Sequence, residues 1–181
     1  MAKAMKRIAL SSVLLTAIFA AFYMKIQGDL LYSLAITFAT ISYHFLMRLL
    51  VGFVVNLLLH NHVDYGRKWF HVSVAEQKLY RILKVKKWKG KMATYDPSCF
   101  DSTVHSWDEI AQATCQAELV HEIIMLLSLV PILAAIPFGA WETFVITSVL
   151  SACFDGIFVI IQRYNRPRIL KLIGSSDKMR T

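Results

Sequence analysis

Four long apolar runs constrain the fold of this chain more than any other feature. They occupy residues 8–24, 30–59, 119–138 and 143–161 of a 181-residue sequence in which 56% of the residues are hydrophobic. A bilayer-spanning helix needs about 20 predominantly apolar residues. The sequence therefore predicts an all-α integral membrane protein, with four transmembrane helices arranged as two hairpins in a single membrane domain, 1–181. No small-x-small cleavage site follows the first run, so we expect it to be retained as a helix.

Lysine and arginine are distributed unevenly around these spans. Three precede the first span, nine lie between residues 61 and 116, and six follow residue 161. Cytoplasmic connections carry such an excess, so both termini, the loop 60–117 and the tail 162–181 are predicted to be cytoplasmic. The net charge of +8 reflects this asymmetry and favours contact with anionic lipid over nucleic acid.

The long cytoplasmic loop contains a basic segment, residues 78–91, in which apolar side chains alternate with the cations. Leu79, Ile82 and Leu83 fall at helical spacing, which favours an amphipathic segment lying on the membrane with its lysines raised. A plain positive flank of the spans is the alternative. Further on, Ser106 and Glu109 have the spacing of a capping box, and they predict a helix that continues into the third span.

Polar residues recur inside the spans, where charge is costly unless it faces a partner or a cavity. His44 and Arg48 lie one helical turn apart in the second span, and Asp155 lies in the fourth. We expect these polar faces to turn toward one another. Arg48 and Asp155 could form a structural ion pair and His44 could bond a neighbouring helix, or all three could bind substrate.

Glu118 and His121 lie one turn apart at the start of the third span. An acid and an imidazole at this spacing offer a general base with an orienting carboxylate, so we predict that both are catalytic. Together with Glu122, His60 and His62 they also have ligand-like chemistry. Neither an HExxH motif nor repeated histidine boxes occur, however, so we predict no metal and no cofactor.

Three stretches carry a family resemblance. Residues 85–91 read VKKWKGK, residues 117–121 read AELVH, and residues 160–168 read IIQRYNRPR. In order and spacing, from Trp69 to the C-terminus, the chain resembles the glycosyl-4,4′-diaponeurosporenoate acyltransferase family. The resemblance implies a membrane enzyme of the bacterial cell that transfers a fatty acyl group onto a sugar hydroxyl of a glycosylated carotenoid or a related glycolipid.

The same stretches suit this chemistry. Acyl-CoA, the expected donor, is a polyanion that basic side chains could clamp, and polar groups of the last stretch could stabilise the developing oxyanion. The predicted substrate-binding residues of the two basic stretches are Lys86, Lys87, Trp88, Lys89, Lys91, Gln162, Arg163, Tyr164, Asn165, Arg166 and Arg168.

Two other functions stay open from the sequence. One is a non-enzymatic subunit that binds lipid or carotenoid within a membrane assembly. The other is a small transporter that uses His44, Arg48 and Asp155 as a relay, although transporters usually show internal repeats or broken helices.

Overall fold

The computed structural model describes residues 2–92 and 95–178 and is helical. Helix makes up 83% of it, and no strand occurs among those residues. Four helices are long and apolar enough to cross a membrane, which confirms the predicted fold class. Residues 93–94 of the predicted loop and 179–181 of the predicted tail lie outside the described residues.

Within residues 2–92 and 95–178, seven α-helices follow one another, with short 3-10 turns in the loop. The helices are α1 (Ala2–Ile26), α2 (Asp29–Leu59), α3 (Val74–Ile82), α4 (Val85–Trp88), α5 (Trp107–Leu127), α6 (Pro131–Phe138) and α7 (Trp141–Lys178). The 3-10 turns are Lys68–Phe70, Lys89–Lys91 and Pro97–Phe100.

The helices extend beyond the apolar runs. α5 begins twelve residues before the run 119–138, and its capping box forms as predicted, with the Glu109 N–H donating to Ser106 Oγ (3.3 Å) and the Ser106 N–H to Glu109 Oε2 (2.7 Å). α7 continues to Lys178, through the predicted tail. Hydropathy predicts only where the apolar residues end, whereas the helical backbone hydrogen bonds continue into the polar residues beyond them.

The basic segment 78–91 forms two short helices. Ser73 caps α3 in a capping box with Glu76. α3 gives way to α4 at Lys84, whose φ of 50° is left-handed and incompatible with a continuing right-handed helix. Ile82 and Leu79 are 75% and 48% exposed, so the outer face of α3 is apolar. Its position on a membrane surface stays a prediction.

The chain divides into two compact units. The first comprises Met1–Phe53 and Ile123–Asp155, with a core of Ile36, Ala135 and Phe144. Two tyrosines of α2 bind carbonyls at helix ends in this unit: Tyr43 donates to the Leu127 carbonyl and Tyr32 to the Phe138 carbonyl, both at 2.8 Å. Carbonyls in the last turn of a helix lack i+4 partners; the Leu127 carbonyl also accepts from the Val130 N–H at 3.1 Å, and the tyrosines add a partner at the ends of α5 and α6.

The second unit comprises Val54–Glu122 and Gly156–Thr181. One of its clusters contains Val63, Phe70 and Cys115, and another contains Ile110, Ala111 and Ile169. These contacts pack the loop against the parts of α5 and α7 that carry the predicted site residues.

Candidate functional site

A buried ion-pair cluster forms the centre of the second unit. Glu118 on α5 is fully buried, and each of its carboxylate oxygens accepts a hydrogen bond from a guanidinium of α7. Arg163 Nη1 donates to Oε1 at 2.6 Å, and Arg166 Nη2 donates to Oε2 at 2.5 Å. The two arginines are three residues apart and so lie on one face of the helix. The pairing ties α5 to α7.

The same arginines hold the segment 69–71, which connects the first 3-10 turn to α3. Arg163 donates to the carbonyls of Trp69 (3.1 Å) and His71 (3.0 Å), and Arg166 donates to the Phe70 carbonyl (3.1 Å). The Arg166 guanidinium also lies 4.9 Å from the centroid of the Phe70 ring, at cation–π distance. Three consecutive carbonyls are thus bound by two side chains.

Glu76 extends the cluster to α3. Its Oε2 accepts the Ser73 N–H of the capping box (2.7 Å), and its Oε1 accepts from Arg163 Nε (2.8 Å). Burial alone would raise the pKa of Glu76, but the hydrogen bonds from Arg163 and Ser73 outweigh it and lower the pKa to about 2. Glu76 is therefore ionised at neutral pH, and Arg163 lies between two carboxylates.

This geometry changes the expectation for Arg163 and Arg166. All the Arg163 nitrogens donate to protein acceptors, and Arg166 is 1% exposed. A phosphate would have to displace Glu118 to reach Arg166. The pattern of charges in the sequence predicted that Arg163 and Arg166 bind substrate, whereas in the structure their contacts hold the loop.

Tyr164 and Arg168 lie on an accessible part of α7. The Arg168 guanidinium is 3.8 Å from the centroid of the Tyr164 ring, and its Nη2 donates to the Tyr164 hydroxyl at 2.7 Å. Lys89 Nζ lies 5.1 Å from the same centroid and donates to Asn165 Oδ1. Burial, and then the charge of Arg168, lower the pKa of Lys89. Lys89 therefore packs on α7, whereas Trp88 donates its Nε1 to the Leu83 carbonyl (2.9 Å).

A basic pocket of about 500 Å³ lies among α3, α4 and α7. Tyr80, Tyr164 and Pro167 line it, and none of the described residues around it is acidic. Its cationic lining residues are Arg81, Lys84, Lys86, Lys87, Arg163, Arg168 and Lys171. The predicted substrate-binding residues do not include Arg81, Lys84 or Lys171, although the first two belong to the basic segment 78–91. Lys89 and Lys91 do not line this pocket.

His121, the predicted base, is half-buried on α5. Its ring stacks on Phe158 with the centroids 4.7 Å apart and the planes 12° from parallel, which fixes the orientation of the imidazole. The neighbouring Glu122 accepts a hydrogen bond from Trp69 Nε1 at 3.0 Å. Gln162 is buried one residue before Arg163.

A polar network in the first unit joins α2 and α7. Arg48 Nη2 donates to Asp155 Oδ2 (2.5 Å) and to Ser151 Oγ (2.7 Å), and Ser151 Oγ lies 3.1 Å from His44 Nδ1 and 2.9 Å from Ser128 Oγ. The predicted ion pair and the facing of these polar surfaces are confirmed. His44 Nε2 is buried without a hydrogen-bond partner among the described residues.

No group of three or more metal-ligating side chains occurs in the part of the chain that the structure describes.

Comparison with known proteins yields one match. The family model for glycosyl-4,4′-diaponeurosporenoate acyltransferase matches residues 66–175. No curated protein and no solved structure is detectably similar to the chain. The matched segment contains the Glu118 cluster and the basic pocket, whereas His44 and Arg48 precede it.

Proposed function

The chain belongs to the glycosyl-4,4′-diaponeurosporenoate acyltransferase family, and on that premise we propose that it moves a fatty acyl group from acyl-CoA to a sugar hydroxyl of a glycosylated carotenoid or related glycolipid. The observation that carries the choice of donor is the pocket of about 500 Å³, which has no acidic residue in its lining and six cations besides the ion-paired Arg163.

The pocket suits a phosphate-rich donor in size and charge. Its volume falls within the roughly 300–1,000 Å³ of small-molecule sites. Lys86 and Lys87 are exposed on α4, and flexible ammonium groups bind phosphates as point charges. The Tyr80 hydroxyl, whose pKa burial raises, donates its proton to Glu76 Oε1 at 3.3 Å and so offers its oxygen lone pair as an acceptor. The acyl chain would extend toward the apolar helices.

His121 is the general base in this proposal. Its imidazole takes the proton of the sugar hydroxyl as the oxygen attacks the thioester carbonyl. A C–O ester bond forms, the C–S bond breaks, and the imidazolium returns the proton to the departing thiolate. Glu118 is a positioning residue, since its two arginine contacts hold α5 against α7 beside the base.

The developing oxyanion needs hydrogen-bond donors, and we assign this role to the amides of α7. Lys89 donates to Asn165 Oδ1, which orients the side chain so that its NH₂ group points away from the lysine. Gln162 lies on the same helix, one residue before Arg163. The Tyr164 hydroxyl accepts from Arg168 and lines the basic pocket.

The proposed enzyme lies in a bacterial cell membrane with both termini and the loop in the cytoplasm. This orientation follows from the excess of lysine and arginine in those segments. It lets a water-soluble donor enter from the cytoplasm while the acceptor stays in the bilayer.

The test is acyl transfer by the purified protein in lipid nanodiscs, with labelled acyl-CoA and a glycosylated carotenoid. We expect His121→Ala to lower kcat about 10²–10⁴-fold, the range of general-base catalysis. Lys86→Ala with Lys87→Ala should raise the KM for acyl-CoA, and added salt should reduce the difference. The matched control is Lys3→Ala with Lys6→Ala, two exposed lysines of α1, which should leave both constants unchanged. Wild-type rates in the His121 variant would contradict the assignment.

A further inference from the structure

A second, smaller pocket lies at the end of α2 in the second unit. It measures about 210 Å³. This is below the roughly 300–1,000 Å³ of sites for drug-sized ligands, so it fits one ring-sized group. Its lining combines aliphatic side chains, Leu59, Val63 and Leu119, with the aromatic Trp69 and Phe70. Its polar lining residues are His62, Asp64 and Arg67.

Trp69 is exposed and yet held in place. The side chain is 64% exposed, while its Nε1 donates to Glu122 Oε2 at 3.0 Å and its carbonyl accepts from Arg163 at 3.1 Å. An indole fixed at its edge and at its backbone presents a rigid apolar face at little entropic cost. Such a surface is suited to stacking against a flat apolar group of a ligand.

The polar rim has unused hydrogen-bonding capacity. Asp64 is 68% exposed at its side chain and lies 3.9 Å from Arg67, which is itself 74% exposed. Its Oδ1 accepts the Gly66 N–H at 2.8 Å, which shapes the turn and leaves the other lone pairs for a ligand. A carboxylate, an imidazole and a guanidinium together provide acceptors and donors for hydroxyl groups. The acidic residue distinguishes this pocket from the basic one and disfavours phosphate.

We propose that this pocket binds the sugar ring of the acceptor, with Trp69 stacked on the ring and Asp64 accepting from its hydroxyls. A hexose has an apolar face and a polar edge, and the pocket has both kinds of surface. Leu59 is the last residue of the apolar helix α2, so an acceptor could leave its tail in the bilayer. His121 follows the pocket-lining Leu119 by two residues on α5, so the two side chains leave the helix in different directions, and His121 does not itself line this pocket. This inference rests on the proposed acyl transfer to a glycoside.

The experiment measures sugar binding without any acyl donor. Octyl β-glucoside is titrated into the protein in phospholipid nanodiscs, and saturation-transfer NMR follows the protons of the sugar ring, with octanol and empty nanodiscs as blanks. We expect Trp69→Leu to weaken binding about tenfold or more, as for buried aromatic anchors, and Trp69→Phe to weaken it less. Asp64→Asn should weaken it about 2–10-fold, the range of one hydrogen bond. Trp141→Leu is the matched control, since Trp141 is 55% exposed at the start of α7, and it should bind as the wild type does.

The outcomes separate this inference from the proposed function. Glucoside binding that depends on Trp69 in a protein without acyl transfer supports the sugar site and rejects the proposed reaction. Acyl transfer in which Trp69→Leu leaves both glucoside binding and the KM for the acceptor unchanged rejects the sugar site alone. Equal losses of glucoside binding in the Trp69 and Trp141 variants also overturn the sugar site, because they indicate only that both tryptophans are anchored at the membrane interface.

Discussion

Replacement of Glu118 by glutamine tests how the second unit is held together. The variant loses the charge that both guanidinium groups face. Arg163 keeps Glu76 as an ionic partner, but Arg166 is 1% exposed, and the contacts that it retains with the Phe70 carbonyl, the Phe70 ring and the Cys115 side chain include no carboxylate. Its charge becomes buried and unpaired, and removal of one partner from a buried pair costs about 3–5 kcal/mol. We expect a loss of that size in the free energy of unfolding.

The assay is denaturant unfolding in mild micelles, followed by circular dichroism. Glu122→Gln is the matched control, since this half-buried carboxylate on the same helix accepts from Trp69, and the glutamine oxygen can still accept, so the cost should stay below the roughly 0.5–1.5 kcal/mol of one lost hydrogen bond. A second variant combines Glu118→Gln with Arg166→Met. It should regain part of the stability, because no buried charge is left without a partner.

A loss below about 1 kcal/mol in Glu118→Gln would refute the reasoning, since the magnitude follows from the unpaired charge and not from the shape of the side chain. Failure of the double variant to recover would refute it in another way. The loss would then have to come from the packing around Glu118 and not from Arg166.

Two further predictions concern the rest of the polar structure. The pKa of Glu76 is lowered to about 2 from its usual 4.5, so its contribution to the free energy of unfolding is complete above pH 4.5 and is lost as the pH falls toward 2. Glu76→Gln should flatten that part of the curve of stability against pH. An unchanged curve would contradict the contact with Arg163. Ser151→Ala removes an acceptor of Arg48 and should cost about 1–3 kcal/mol in thermal or denaturant unfolding, whereas Ser33→Ala, at an exposed position of α2, should cost almost nothing.

The sequence predicted those features that have a local or compositional cause. Hydropathy indicated the four membrane-spanning helices, and the spacing of Ser106 and Glu109 indicated the start of α5. The pairing of Arg48 with Asp155 also followed, because charges inside a membrane span must find partners. Each of these inferences needs only the properties of one segment or a general energetic cost.

The function of the α7 arginines could not be predicted in the same way. Arg163 and Arg166 contact Glu118 across 45 and 48 positions of the chain, and nothing in their local sequence distinguishes a buried guanidinium from an exposed one. The break at Lys84 was also missed, because no glycine or proline marks it. The basic pocket gathers Arg81 and Lys171 from different helices, and only the fold brings them together.

The segment held by the two arginines has a consequence for the order of events in catalysis. Trp69 and Phe70 line the smaller pocket, while Val72 and Arg163 line the larger one. Neighbouring residues of this segment therefore form part of the wall of each pocket, although no residue lines both. A ligand that shifts this segment from one side alters the affinity on the other, and thermodynamic linkage makes the effect reciprocal. If the larger pocket binds the acyl donor and the smaller one the acceptor, as proposed above, each ligand would change the affinity for the other through this segment.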